Sequence, residues 1–188
     1  DDLVNGMFTN KCYDGQNFID TDHPVIVNGK EATTSNKGTA KLSIATLAAA
    51  QASYGAARTV MRKFKDDEGR PLKVRPTVLL VPPALEFTAN ALMTVDRLED
   101  GKPNPFKGTA KVLVWDGWTS DTAWALLDTS KSVKPFIYQE RKKPVLVHQF
   151  DMASDNVFTR KKYLYGAEAR AAGGYGFWQL AWASDGTA

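Results

Sequence analysis

Cys12 and His23 are the first two residues whose types could do chemistry together. A thiol becomes a nucleophile when a histidine in contact takes its proton and a third residue orients that histidine. No catalytic signature surrounds Cys12, and nothing in the spacing brings the two together. The alternative is a partly buried thiol and a loop histidine before Pro24. Metal binding needs Cys and His clustered at short spacing. One Cys and two His, with His148 far from His23, do not supply that. Asp20, Asp22 and His23 stand close together in what reads as a turn. Asp66-Asp67-Glu68-Gly69 lacks the alternating ligand spacing of a calcium loop and reads as the stop of a helix. Gly173-Gly174-Tyr175-Gly176 is rich enough in glycine for a phosphate cradle, but such loops lead into a helix. A period-two segment follows here, so a hairpin turn is expected. The residues therefore point to no catalytic, cofactor-binding or metal site.

The strongest polar candidates are two basic triplets, Arg141-Lys142-Lys143 and Arg160-Lys161-Lys162. One reading is contact with nucleic-acid phosphates or with an acidic patch on a protein partner. The other is solvated strand faces, or lysines that guard strand edges against mispairing. The aromatic residues add to this. Trp115, Trp118, Trp124, Trp178 and Trp182 all fall in the strand-rich half. Most belong in a core, but tryptophan is enriched at interface hot spots, and one or two exposed would fit a subunit that assembles.

The elements that must position these residues follow from composition and periodicity. The chain has 188 residues, enough for one domain or two small ones, and 43% of them are hydrophobic. With 24 basic and 21 acidic residues the net charge is +3, too balanced to imply a nucleic-acid binder by itself. The single cysteine allows no internal disulfide, which fits a reducing compartment. No apolar run reaches the roughly 18 residues of a membrane helix, so no membrane partner is expected. Asp1-Asp2-Leu3-Val4-Asn5-Gly6 lacks the pattern of a signal peptide and looks like the interior of a longer protein.

Asp1 to Phe8 reads as the last turns of a helix. Thr9 to Lys41 is polar and turn-rich, with breakers at Asp14-Gly15, Asn28-Gly29 and Lys37-Gly38 and short extended pieces near Phe18-Ile19 and Val25-Ile26-Val27. Ser43 is the expected N-cap of a helix whose apolar stripe is Leu47, Ala50, Tyr54, Ala57, Met61 and Phe64, with Gly69 just past its end. Thr77 to Val81 reads as a buried strand, and Pro82-Pro83 opens a second helix with a stripe of Leu85, Ala89, Leu92, Val95 and Leu98. From Thr109 onward the period is two. Strands are expected around Val112 to Val114 and over Ala123 to Leu127, with Asp116 to Thr122 as the turn between them. Further strands are expected at Phe136 to Arg141, Val145 to Phe150, Val157 to Tyr165 and Phe177 to Ala183. Two helices amid many strands give an α+β class.

Several ordered motifs resemble the Mu-like phage major head subunit (gpT) family. They are Cys12-Tyr13-Asp14-Gly15-Gln16, Asp22-His23-Pro24, Arg75-Pro76-Thr77, Val81-Pro82-Pro83-Ala84-Leu85, Lys134-Pro135-Phe136-Ile137-Tyr138-Gln139, Asn156-Val157-Phe158-Thr159-Arg160-Lys161, Tyr163-Leu164-Tyr165-Gly166 and Gly174-Tyr175-Gly176-Phe177-Trp178-Gln179-Leu180-Ala181. The segment Ile26 to Lys41 carries no such motif. The resemblance implies an HK97-type capsid fold, with two main helices against a mixed sheet, long antiparallel strands, and an axial domain plus part of a peripheral one. It implies residues 1–8 as the tail of a spine helix, 9–134 as mostly axial-type and 135–188 as a strand-rich peripheral-type segment. It implies a non-enzymatic shell protein without cofactor, assembled in the bacterial host cytoplasm. Its partners would be other copies of itself in hexamers and pentamers, a portal, a scaffold or protease, and packaged DNA bound without sequence specificity. Arg141, Lys142, Lys143, Arg160, Lys161 and Lys162 are then candidate inter-subunit or shell-lining contacts. The rival is a nucleic-acid-binding module that uses the basic strands.

Overall fold

A computed structural model describes residues 2–27, 29–66, 68–151 and 155–188, and the chain divides into two compact units. One comprises Asp1–Phe136 with Tyr175–Ala188, the other Ile137–Gly174. Asp1, Asn28 and Asp67 lie outside the described residues, so the breaker expected at Asn28 and the middle of the acidic stop do too.

The first unit opens with a short helix α1 (Asp2–Asn5) and a 3-10 turn (Gly6–Phe8) that buries Met7. Strands β1 (His23–Val27) and β2 (Lys30–Thr34) form an antiparallel hairpin, with Gly29 at φ 75° in its turn. Lys37–Gly38 forms the short strand β3. The first long helical segment is capped by Thr46, not by Ser43: Thr46 Oγ1 accepts from the Ala49 N–H at 3.0 Å, while Ser43 accepts only from Ala45 in the preceding turn. It runs as α2 (Leu47–Ala50), a π-helical turn (Gln51–Gly55) and α3 (Ala56–Lys63). The expected stripe faces the core, with Ala50, Tyr54, Ala57, Met61 and Phe64 buried. Gly55 lets Phe106 pack against the helix, since a Cβ there would lie 2.9 Å from the Phe106 ring. The helix stops at Lys63, ahead of the acidic segment. Asp66 instead closes a tight turn, accepting from the N–H groups of Glu68 and Arg70, with Gly69 at φ 78° inside that turn.

Strand β4 (Val78–Val81) leads through a 3-10 turn (Pro83–Leu85) into α4 (Glu86–Thr94), which buries Ala89, Leu92 and Met93. With β5 (Lys111–Val114), β6 (Trp124–Leu127) and the final strand, the sheet has the order β3-β9-β6-β4-β5, where β9 is Ala181–Ser184. The hairpin expected between β5 and β6 does not form. Helix α4 carries the chain across, so β5 pairs parallel to β4, and β6 pairs antiparallel to the opposite edge of β4. The connection after β5 is held elsewhere: Asn5 donates to Gly117 O and accepts from Thr119 N–H. Strands β6 and β9 are buried at every residue, as the apolar run of β6 and the Ala-Trp-Ala of β9 require, whereas β5 alternates.

The second unit is a two-stranded ribbon of β7 (Phe136–Gln149) and β8 (Leu164–Tyr175), joined through α5 (Asp155–Arg160). Three expectations are corrected here. Phe136 to Gln149 is one strand rather than two; Pro144 lies inside it, which a strand with a free edge allows. Val157 to Arg160 is helical rather than extended, and the helix ends at Lys161, held at φ 51°. Gly173-Gly174-Tyr175 lies within β8 and makes no turn. The strand expected at Phe177 to Ala183 is also shorter than its pattern suggests, because Trp178–Leu180 forms a 3-10 turn and only Ala181 onward is extended as β9. The chain after the ribbon rejoins the first unit, where β9 takes its place between β3 and β6.

Candidate assembly surfaces

His23 is not a surface loop residue. Its ring is fully buried and stacks on Trp178 at 4.2 Å between centroids and 8° between planes. Nδ1 lies 2.6 Å from Asp14 Oδ2, and Nε2 lies 3.1 Å from Asn36 Oδ1. Asn36, also buried, accepts from the Asp20 N–H at 2.8 Å and donates from Nδ2 to the carbonyls of Phe18 (2.9 Å), Trp178 (3.3 Å) and Ala181 (3.3 Å). This hub ties three early segments to the chain that leaves the ribbon. Burial pushes the Asp20 carboxyl up, but N–H donation from Thr21 and Asn17 and the neighbouring His23 bring it below its ordinary value.

Cys12 is not paired with this histidine. Its Sγ donates to Gly176 O at 3.6 Å, and burial pushes the thiol up. A protonated thiol is a poor nucleophile, and both ring nitrogens of His23 are engaged elsewhere. Among the described residues no group of three or more His, Cys, Asp or Glu side chains is placed to hold a metal ion. The first unit also has an open cleft of about 810 Å³, lined by Tyr13, Phe177, Pro24, Val25 and Ile26 among others. Arg70, also on its lining, pairs with Asp66 and Glu68, both at 2.8 Å, and Lys65 and Lys131 line it as well. The cleft therefore offers mixed apolar and charged contact area.

The ribbon is the more unusual surface. Among its described residues none is buried. Tyr138, Val145, Leu146, Val147, Phe150, Phe158, Tyr163, Leu164 and Tyr165 are all exposed. An isolated two-stranded ladder is marginal in water, and apolar patches of this kind mark interaction sites. The basic candidates sit on it in two settings. Arg141, Lys142 and Lys143 lie on β7, so Arg141 and Lys143 share one face and Lys142 points to the other. Lys142 pairs with Glu168 of β8, which also meets Arg170 at 3.3 Å. Arg160 ends α5, and Lys161 and Lys162 follow in the turn before β8, not on a strand. Among the described residues Arg141, Lys143, Arg160, Lys161 and Lys162 make no ion pair. Of the five tryptophans, Trp118, Trp124, Trp178 and Trp182 are core and Trp115 is half-buried, so the exposed aromatic surface comes from Tyr and Phe.

The family described as the Mu-like prophage major head subunit gpT matches residues 2–48, 40–119 and 116–187, nearly the whole length. The chain belongs to this family. Among gpT-type relatives, the major capsid protein of Escherichia phage Mu is 29% identical over 179 residues, covering 95% of this chain and 35% of that protein. The Mu-like prophage FluMu major head subunit of Haemophilus influenzae (strain ATCC 51907 / DSM 11121 / KW20 / Rd) is 47% identical over 70 residues, covering 37% of this chain and 23% of that protein. The chain thus spans about a third of the length of its Mu relative. Two solved structures share the fold. The capsid of bacteriophage JBD30 aligns with TM-score 0.53 and 22% identity over 60% of this chain and 59% of that one. The JBD30 capsid decorated with minor capsid protein trimers gives TM-score 0.55 and 22% identity over 61% and 59%. The α+β capsid fold that the gpT motifs imply is therefore the observed one. Among the described residues no helix is long and apolar enough to cross a membrane.

Proposed function

We propose that the chain is the core of a phage head subunit that associates with copies of itself to build the icosahedral shell around phage DNA, without substrate turnover. The observation that carries this is the ribbon: in a family of head subunits, this chain contains a long two-stranded element with no buried residue among its described ones and many exposed apolar side chains. Such an element becomes ordered by packing on a partner. A patch on one subunit that meets a different patch on the next generates rings, and rings tile a closed surface. In this reading the first unit is axial-type and the ribbon peripheral-type. Arg141, Lys143, Arg160, Lys161 and Lys162 make inter-subunit or shell-lining contacts, and Lys142 supports the ribbon through Glu168. Portal, scaffold or protease, and packaged DNA are the further partners, and the virion, assembled in the host cytoplasm, is the location.

The nucleic-acid reading has less support, because Lys142 and Arg170 are committed to Glu168 and the basic triplets do not form one continuous strand face. The test is expression of the gene product that carries this chain together with its phage partners, followed by electron microscopy. Particles containing the protein are expected. A product that stays monomeric and is missing from purified virions overturns the proposal.

A further inference from the structure

The hub at Asp14, His23, Asn36 and Trp178 determines where its own hydrogens lie. Backbone groups cannot exchange donor and acceptor roles, and they orient the Asn36 amide. The Asp20 N–H must donate to Oδ1, and the carbonyls of Phe18, Trp178 and Ala181 must accept from Nδ2. Asn36 Oδ1 can therefore only accept from His23, so Nε2 carries a hydrogen. On the other side of the ring, Nδ1 faces Asp14 Oδ2 at 2.6 Å, and a carboxylate is acceptor-only. A hydrogen occupies that bond as well. The ring lies flat on the Trp178 indole, a face that attracts cations.

We infer that Asp14 and His23 form a buried imidazolium–carboxylate latch whose proton holds the chain returning from the ribbon onto the sheet, and whose loss loosens it. The latch regulates the ribbon proposed above as an assembly surface, and it rests on that reading only for its consequence in assembly. Its mechanical link is short. Asn36 grips the carbonyls of Trp178 and Ala181, and Trp178 stacks on the ring. Two residues upstream, the Gly176 N–H donates to Pro135 O at 2.8 Å, where the chain enters β7. Next to it, Tyr175 stacks on Phe18 at 4.3 Å and lies 5.9 Å from Phe136.

The charged and titratable groups around the ring favour the cation. Asp14 contacts it, Asp20 lies close enough to be affected by its charge, and Asp22 precedes it in sequence. Cys12, on the Asp14 loop, is held protonated by burial and adds no charge. Removing the shared proton would place the Nδ1 lone pair against a carboxylate in a site without exposed surface on the ring and with little on Asp14. The stabilisation therefore lasts only while the pair holds that proton.

Nitrogen-15 NMR of ring-labelled chain tests this directly. At neutral pH both ring nitrogens of His23 should give protonated signals. Asp14→Asn provides a second test, because its amide can donate to a neutral Nδ1 and so removes the need for the extra proton. Between neutral and alkaline pH, the folded-to-unfolded ratio of the wild type should fall about tenfold relative to that of the variant. An unprotonated Nδ1 at neutral pH, or parallel alkaline loss in both proteins, overturns the latch. If Asp14→Asn does not fold, the wild-type spectrum decides alone. A doubly protonated ring in a protein that never assembles would refute the shell proposal and leave the latch standing.

Discussion

Replacing Asn36 by alanine should be among the most damaging single changes in the first unit. The substitution empties one side chain's whole set of contacts: the Asp20 N–H and His23 Nε2 lose their acceptor, and the carbonyls of Phe18, Trp178 and Ala181 lose their donor. The three carbonyls share the two hydrogens of one amide, so the loss is closer to four full bonds than five. At about 1 kcal/mol net for each, in a site too buried for water to replace them, the cost is about 4 kcal/mol. A chain of this size loses roughly 2–4 °C of melting temperature per kcal/mol, so the midpoint should drop by roughly 8–16 °C. Thermal unfolding followed by circular dichroism measures it. Thr77→Val is the control. Thr77 Oγ1 makes its contacts with Leu127 O and Thr129 just ahead of the start of β4, in a more exposed setting, so that loss should stay near 1 kcal/mol. If Asn36→Ala melts within about 2 °C of the wild type, the hub is not what joins the early segments to the returning chain.

Two further outcomes are expected. Arg141→Glu with Lys143→Glu should leave the melting temperature unchanged, since both side chains are exposed and make no ion pair among the described residues. Particle yield under the electron microscope should nonetheless fall, and unchanged yield would remove these residues from the assembly surface. At the acid end, Asp20 and Asp185 are both pushed up by burial but held below the ordinary carboxylate range by hydrogen bonds and by His23 and Lys37 respectively. Their contribution is present above that range and lost as pH falls through the folded values. Urea midpoints measured against pH should therefore fall less steeply on acidification for Asp20→Asn than for the wild type, and parallel curves would contradict the assignment.

The sequence made part of this architecture legible and hid the rest for identifiable reasons. Apolar runs with β-branched members located β4 and β6, and the spacing of Ala50, Tyr54, Ala57, Met61 and Phe64 located the long helical segment, because burial imposes those patterns directly. Strand partners were not legible. Two consecutive strands with a short connection suggest a hairpin, and nothing local reveals that β4 has already taken the place between them. Val157-Phe158-Thr159 has strand-forming composition, yet short-range helical bonding and the left-handed Lys161 decided that segment. The hub was hidden because its members are single polar residues from distant segments: Asn36 and Trp178 are 142 positions apart. The basic triplets were legible as exposed charge. That Lys142 differs from its neighbours depends on Glu168, 26 residues away, which composition cannot report.

The place of β9 in the sheet has a consequence for the order of synthesis. A ribosome delivers β3, β4, β5 and β6 first, then the entire ribbon, and only afterwards the strand that belongs between β3 and β6. A nascent chain interrupted within the ribbon has two strands with open edges and the apolar underside of a sheet missing one member, the kind of species that aggregates or is degraded. Closing the sheet therefore requires that the ribbon has already been made. The topology works as a completeness check, admitting to the folded pool only chains that carry the whole ribbon.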